Sequence, residues 1–187
     1  MSLAHVLLTS LLEKPSSGYD LARRFDKSMG FFWNATHQQI YRELKRMEDA
    51  KWIDSEAAED AGKTKKRTYS VLEAGKKELE AWVKIQAEPH ILRDESMVRL
   101  RAEAILGPIG MQAELIRHLA FHQERLDTYR AIAKRDFAKN SNSPPSMNRE
   151  QQIQGRILQL GIDTQETWIK WTEETIQLLE KLDNKTR

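Results

Sequence analysis

The feature that most constrains this chain is its final stretch, Arg149 to Leu182, which carries apolar residues at helical spacing along two parallel lines. Ile153, Ile157, Leu160, Trp168, Trp171, Leu178 and Leu182 form one seam, and Ile162, Ile169 and Ile176 form the other. A helix this long with so wide an apolar face needs a partner beyond its own hairpin. The residues before it are helical too. Met97, Val98, Leu100, Ile105 and Leu106 mark a helix closed by Gly107-Pro108, and Leu115, Leu119, His122, Leu126 and Tyr129 step by four and three along a longer one. Asn140 to Ser146 reads as a turn or short linker.

The first half mixes periods. A helix from about Leu3 to Glu13 has Leu3, Val6, Leu7, Leu11 and Leu12 on one broad face, and Lys14 to Gly18 ends it. Ser17 and Asp20 resemble a cap for a second helix, which carries Leu21, Phe25 and Met29 and stops at Gly30. Phe31, Phe32 and Trp33 are packing residues in the following turn. A third helix starts near Thr36, where Thr36-x-x-Gln39 fits the capping box, and holds Ile40, Leu44 and Met47 inward. After Ala50, Trp52–Ser55 and Thr68–Val71 are rich in β-branched and aromatic residues, which predicts a hairpin. Its loop, Glu56 to Arg67, begins acidic and ends with Lys63, Lys65, Lys66 and Arg67. A fourth helix spans Gly75 to Gln86 with Leu79, Trp82 and Val83 inward, and Pro89 marks a boundary between domains 1–88 and 89–187.

Three helices followed by a hairpin is the order of a winged helix–turn–helix, whose third helix enters the major groove while the wing meets the neighbouring backbone or minor groove. The expected fold is mainly α: this unit first, then a helical dimerisation domain with the long terminal helix. Opposite Ile40, Leu44 and Met47 lie Gln38, Arg42, Lys45 and Asp49, with Tyr41 on one flank and Gln39 and Arg46 on the other. Gln38 suits adenine and Arg42 suits guanine, because each side chain can form two hydrogen bonds to that base. Tyr41, Lys45 and the wing cations Lys63, Lys65, Lys66 and Arg67 suit phosphate, which fixes register without reading sequence. Thr36, His37 and Gln39 complete the set at the start of the helix.

Composition narrows the function. The chain has 187 residues, 40% apolar and 31% charged, with a net charge of +2, so a local patch must meet any anionic partner. No apolar run approaches the roughly 20 residues needed to cross a bilayer. Met1 to Pro15 reads as a core helix and not a signal peptide, and the absence of cysteine removes disulfides and thiol chemistry. A cytoplasmic protein is expected. No Gly-rich phosphate loop, nucleophile–base pair or carboxylate dyad stands out, so no enzyme and no cofactor are expected. His118 and His122 share a helix face but lack a third ligand nearby, which favours packing or hydrogen bonding over metal. Trp168 and Trp171 sit a turn apart and serve a core or dimer interface, or line a pocket for a flat apolar effector.

Gly18-Tyr19-Asp20-Leu21, Gln39-Ile40-Tyr41-Arg42-Glu43-Leu44-x-Arg46-Met47-Glu48 and Arg67-x-Tyr69-Ser70-Val71-Leu72-x-x-Gly75 resemble the PadR-like transcriptional regulators. Arg93-Asp94-Glu95 and the long terminal helix are similar to the C-terminal domain of that family's larger members. The resemblance implies a homodimeric regulator of double-stranded DNA, usually a repressor, answering a small apolar or aromatic molecule or a stress signal. It also implies that the terminal helices and the first helix build the dimer, which selects Leu7, Leu11, Ile162, Trp168, Ile169, Trp171 and Ile176 as interface residues. Three positions depart from the family's habit: Arg42 replaces a proline, Lys51 a glycine and Glu73 a threonine. A helical protein-interaction module, or an activator, is the alternative reading.

Overall fold

Three short helices, each with one apolar side, meet around a common core before the chain turns to β structure. The computed structural model describes residues 3–27, 29–31, 33–57, 67–89, 93–137 and 147–186. Helices α1 (Leu3–Glu13), α2 (Gly18–Asp26) and α3 (His37–Asp49) bury Leu7, Leu8, Leu11, Leu21, Phe25, Ile40, Leu44 and Met47 against one another. Each of these contributes roughly 1.5–3 kcal/mol relative to exposure. That cluster stabilises the helices more than their short lengths could. α2 is shorter than its periodicity suggests: it stops at Asp26, and Met29–Phe31 form a 3-10 turn toward α3. Trp33 packs on the core, whereas Phe32 and the side chain of Phe31 lie outside the described residues.

The turn between α1 and α2 is held from both sides. Ser17 Oγ accepts from Asp20 N at 3.1 Å and donates to the Asp20 carboxylate at 2.7 Å. The Arg24 guanidinium donates to the carbonyls of Ser10 and Lys14 and to Ser16 Oγ, satisfying the open end of α1. Burial there lowers the Arg24 pKa from its ordinary value, and Glu13 opposes that shift.

Ser16–Ser17 form a short strand, β1, which the residue types do not signal. It pairs with β3 (Arg67–Val71), whose other edge pairs antiparallel with β2 (Ile53–Ala57), giving the order β1-β3-β2. Ile53 lies opposite Val71 at the inner end of the wing and Ala57 opposite Arg67 at the outer described rung. Helix α4 (Glu73–Val83) begins two residues before Gly75, with Glu73 in the first turn, where its charge suits the helix dipole. Gly75 permits close approach to the wing base, since a Cβ there would lie 2.3 Å from the Trp52 carbonyl oxygen. His5 stacks on Trp82 at 4.6 Å with its Nε2 3.2 Å from Glu78 Oε1, joining α1 to α4. Val83 is 69% exposed and not inward as its spacing suggests: it is the last residue of α4, past the stripe of Gly75, Leu79 and Trp82.

α3 closes in a Schellman-type turn, with Lys51 N donating to Glu48 O at 3.0 Å and Trp52 N to Met47 O at 2.9 Å. Lys51 has φ 58°, a left-handed conformation that glycine adopts without the Cβ clash. Lys51→Gly is therefore expected to stabilise the protein by about 0.5–1 kcal/mol, the relieved strain exceeding the added freedom of the unfolded chain. Urea unfolding should show a higher midpoint at an unchanged slope. An unchanged or lower midpoint would contradict this account.

The chain divides into two compact units, Met1–His90 and Ile91–Arg187. The second contains α5 (Glu95–Leu106), α6 (Met111–Ile132) with a π-helical continuation at Ala133–Phe137, and α7 (Arg149–Thr186). α6 lies along α7, and Leu115, Leu126, Tyr129 and Ile162 are buried in this unit. The buried Glu103 carboxylate holds the α5–α6 turn by accepting from Ile109 N at 3.0 Å and Met111 N at 2.8 Å. The first seam of α7 is uncovered at Ile153, Ile157, Leu160, Leu178 and Leu182. α5 likewise exposes Val98, Ile105 and Leu106. Among the described residues, no helix is long and apolar enough to cross a membrane.

Candidate nucleic-acid interface

The start of α3 is built as its sequence predicts. Gln39 N donates to Thr36 Oγ1 at 3.2 Å, and Thr36 N donates to Gln39 Oε1 at 2.7 Å, so both halves of the capping box are made. The Gln39 amide is thereby engaged in the cap. Ile40, Leu44 and Met47 face the core, which turns Gln38, Arg42 and Lys45 outward. These three are exposed and make no hydrogen bond or ion pair with another described residue. Tyr41 flanks them, 46% exposed. Its ring closes on Gly18, where a Cβ would lie 2.6 Å from Tyr41 Cε1, so glycine lets the start of α2 abut α3.

Three other basic side chains among the described residues near this face are engaged within the chain. Arg46 donates through Nε at 3.0 Å and Nη2 at 2.7 Å to Glu43 and lies 5.2 Å over the Trp52 ring, and the hydrogen bond to Glu43 raises its pKa. His37 Nε2 lies 3.0 Å from Asp26 Oδ2. Arg67 is the first residue of β3, not a loop-tip cation, and its Nη2 donates to Glu48 Oε1 at 2.9 Å. Lys63, Lys65 and Lys66 lie outside the described residues. The structure thus brings Gln38, Tyr41, Arg42 and Lys45 to one surface, with Thr36 and Gln39 as its cap. Tyr19 and Arg23 also stand exposed on α2, with the guanidinium 5.7 Å from the ring centroid. Their i,i+4 spacing was the available signal for this pair.

The interface candidates sort differently. Leu7 and Leu11 are wholly buried in the core of their own unit and offer no surface to another chain; on α1 it is Leu12 that is exposed. Their face is covered by α3, α4 and β3, so its breadth reflects core and not interface. Ile162 is buried, and Trp168, Ile169, Trp171 and Ile176 are half-buried. Trp168 stacks on His122 at 5.5 Å with an interplanar angle of 1° and meets Trp171 edge-on at 5.7 Å. His122 Nδ1 lies 2.7 Å from Gln165 Oε1, while His118 Nε2 lies 3.0 Å from Glu114 Oε1. The two histidines are therefore held by separate neighbours. The Arg117 guanidinium, helped by His118, lowers the pKa of the half-buried Glu114 carboxyl to about 2. Between α6 and α7 an open groove of about 510 Å³ is lined by Leu126, Ile169 and the charged Asp127, Arg130, Glu166 and Lys170.

Comparison with known proteins covers both units. Residues 7–81 match the Transcriptional regulator PadR-like family, and residues 92–180 match the family described as Virulence activator alpha C-term. The probable transcriptional regulator Rv1176c of Mycobacterium tuberculosis is 36% identical, over 97% of this chain and 99% of its own. Bacillus subtilis PadR, a negative transcriptional regulator, is 26% identical over 96% of this chain and 98% of its own. Its crystal structure in complex with operator DNA has a TM-score of 0.80 and covers 94% of this chain and 97% of that one. It has also been solved with p-coumaric acid, with a TM-score of 0.71 over 95% of this chain and 98% of that one. The Vibrio cholerae virulence activator AphA matches at a TM-score of 0.77 and 26% identity, over 97% of this chain and 99% of its own. The fold is accordingly a winged helix–turn–helix with a C-terminal helical domain, its relatives are regulators and not enzymes, and the chain belongs to the PadR-like family of transcriptional regulators.

Proposed function

We propose that this regulator acts as a homodimer on a pseudo-palindromic operator, and that it represses transcription there until a small apolar or aromatic molecule or a stress signal releases it. The observation that carries the reading is the outward face of α3. Gln38, Arg42 and Lys45 stand exposed beside Tyr41 and have no partner among the described residues, while the neighbouring Gln39, Arg46 and Arg67 are held within the chain. Gln38 and Arg42 read bases, Tyr41 and Lys45 take phosphate, and the wing cations Lys63, Lys65 and Lys66 take the flanking backbone. The uncovered lines of α7 and α5 are assigned to a second copy of the chain. The relative solved with operator DNA and with p-coumaric acid supports both the DNA partner and a small aromatic effector. Activation is a second reading, favoured by the match of residues 92–180 to a domain named for a virulence activator.

Electrophoretic shifts on the promoter of the neighbouring gene test the proposal. Affinity should fall steeply with salt, by about 0.9 in log–log slope for each phosphate neutralised. Lys45→Ala should weaken all sequences about equally and lower that slope by about 0.9 for each copy of the residue that touches phosphate. Binding that ignores sequence, or none at low salt, would instead favour a protein-interaction module.

A further inference from the structure

We propose that Glu48 is a positioning residue for DNA binding, whose carboxylate sets the angle at which the wing leaves the reading helix. This rests on the reading of α3 and the wing as the DNA-binding face. Glu48 lies in the last turn of α3, and its Oε1 accepts two hydrogen bonds, one from the Ser55 hydroxyl on β2 and one from Arg67 Nη2 on β3 at 2.9 Å. One carboxylate oxygen on the helix therefore holds both strands of the hairpin.

The place of these contacts along the hairpin gives them leverage. The inner end is fastened independently: Ile53 is buried in the core and Leu72 N donates to Trp52 O at 2.9 Å, while β1 pairs with Tyr69 and Thr68 on the other edge of β3. Ser55 lies opposite Tyr69 at the middle of the hairpin, and Arg67 sits on the outermost described rung, opposite Ala57 and beyond the last residue that β1 pairs with. Glu48 thus ties the helix to the middle of the hairpin and to its outermost described rung. The carboxylate is sheltered, with its side chain 24% exposed, so solvent screens this contact less than an open surface pair. Tyr69 reports the same environment: burial first, then the Glu48 charge, raises its pKa.

The proposal predicts a sign that simple electrostatics does not. A carboxylate beside a DNA-binding face repels phosphate, so charge alone predicts tighter binding when Glu48 is removed. Loss of the positioning contact predicts weaker binding. Glu48→Ala is expected to reduce operator affinity about tenfold and to flatten the salt dependence, because wing cations no longer reach their phosphates together. Glu48→Gln, which keeps an acceptor for Ser55 but loses the charge that holds Arg67, should lose roughly threefold.

A second measurement needs no DNA. The chain contains no cysteine, so Ala57→Cys on β2 and Glu80→Cys on α4 can carry a pair of spin labels. Their distance distribution should be narrow with Glu48 present and broad in the Glu48→Ala background, with helix content by circular dichroism unchanged. Wild-type binding together with Glu48→Ala binding as tight or tighter, or a distance distribution that Glu48→Ala leaves narrow, overturns the positioning role. A wild-type protein that binds no DNA overturns the underlying reading and the role with it, and the spin-label result then shows separately whether the contact exists.

Discussion

With alanine at position 42, affinity for the operator is expected to fall about a hundredfold, while affinity for unrelated DNA falls far less. Arg42 sits mid-way along the outward face of α3, exposed and without a partner among the described residues, so no contact with them must break for it to reach a base. Its guanidinium can donate two hydrogen bonds to guanine O6 and N7, worth roughly 1–3 kcal/mol of discrimination. Two copies in a dimer double that, and each 1.4 kcal/mol is about tenfold in affinity. Arg46 is a poor substitute, because Glu43 and Trp52 already hold its guanidinium. Competition titrations with operator and random duplex measure both losses. Equal losses on the two DNAs would make Arg42 a phosphate contact, and no loss on either would remove it from the interface. The family's habitual proline at this position presents no donor at all, so the base facing Arg42 is where this operator should differ from those of its relatives.

What could be read from the sequence follows the range of the interactions involved. The Thr36–Gln39 box and the Ser17–Asp20 cap are closed within one helical turn, so residue type and spacing suffice, and both form. β1 consists of two serines without strand propensity and exists because the edge of β3 accepts it, a tertiary effect. Arg67 has the look of a loop-tip cation because its partner, Glu48, lies on another element. Periodicity identifies which residues share a face but not what covers it. Leu7 and Leu11 share an apolar face with an interface appearance, yet their own unit buries them, whereas Val98 and Ile105 share one that the single chain leaves open. The outward face of α3 was legible for a related reason: the inward residues are local in spacing, and the outward ones follow by exclusion.

A single charge on the outer line of α7, Leu160→Asp, is expected to convert the proposed dimer into a monomer and to lower operator affinity by a hundredfold or more. Leu160 is 68% exposed, so the substitution removes little burial within its own chain and the fold should persist. In a two-fold interface the same residue enters twice, and each dimer would have to desolvate two unpaired carboxylates. The α7 helix, 38 residues long, extends about 57 Å at 1.5 Å per residue, a surface that can supply a continuous apolar stripe from Ile153 to Leu182. Polar replacement of Trp168 is a less direct test, since that ring also stacks on His122 in its own chain. Once the two reading helices are unlinked, the second half-site no longer benefits from effective concentration, a gain of 10²–10⁴ in comparable bivalent systems. Light scattering gives the mass, and titration of the operator gives the affinity. A dimeric mass with unchanged affinity would place the subunit contact elsewhere, with the uncovered face of α5 next in line. A monomer that still binds the operator as tightly as wild type would instead show that one copy of α3 and its wing carries recognition alone.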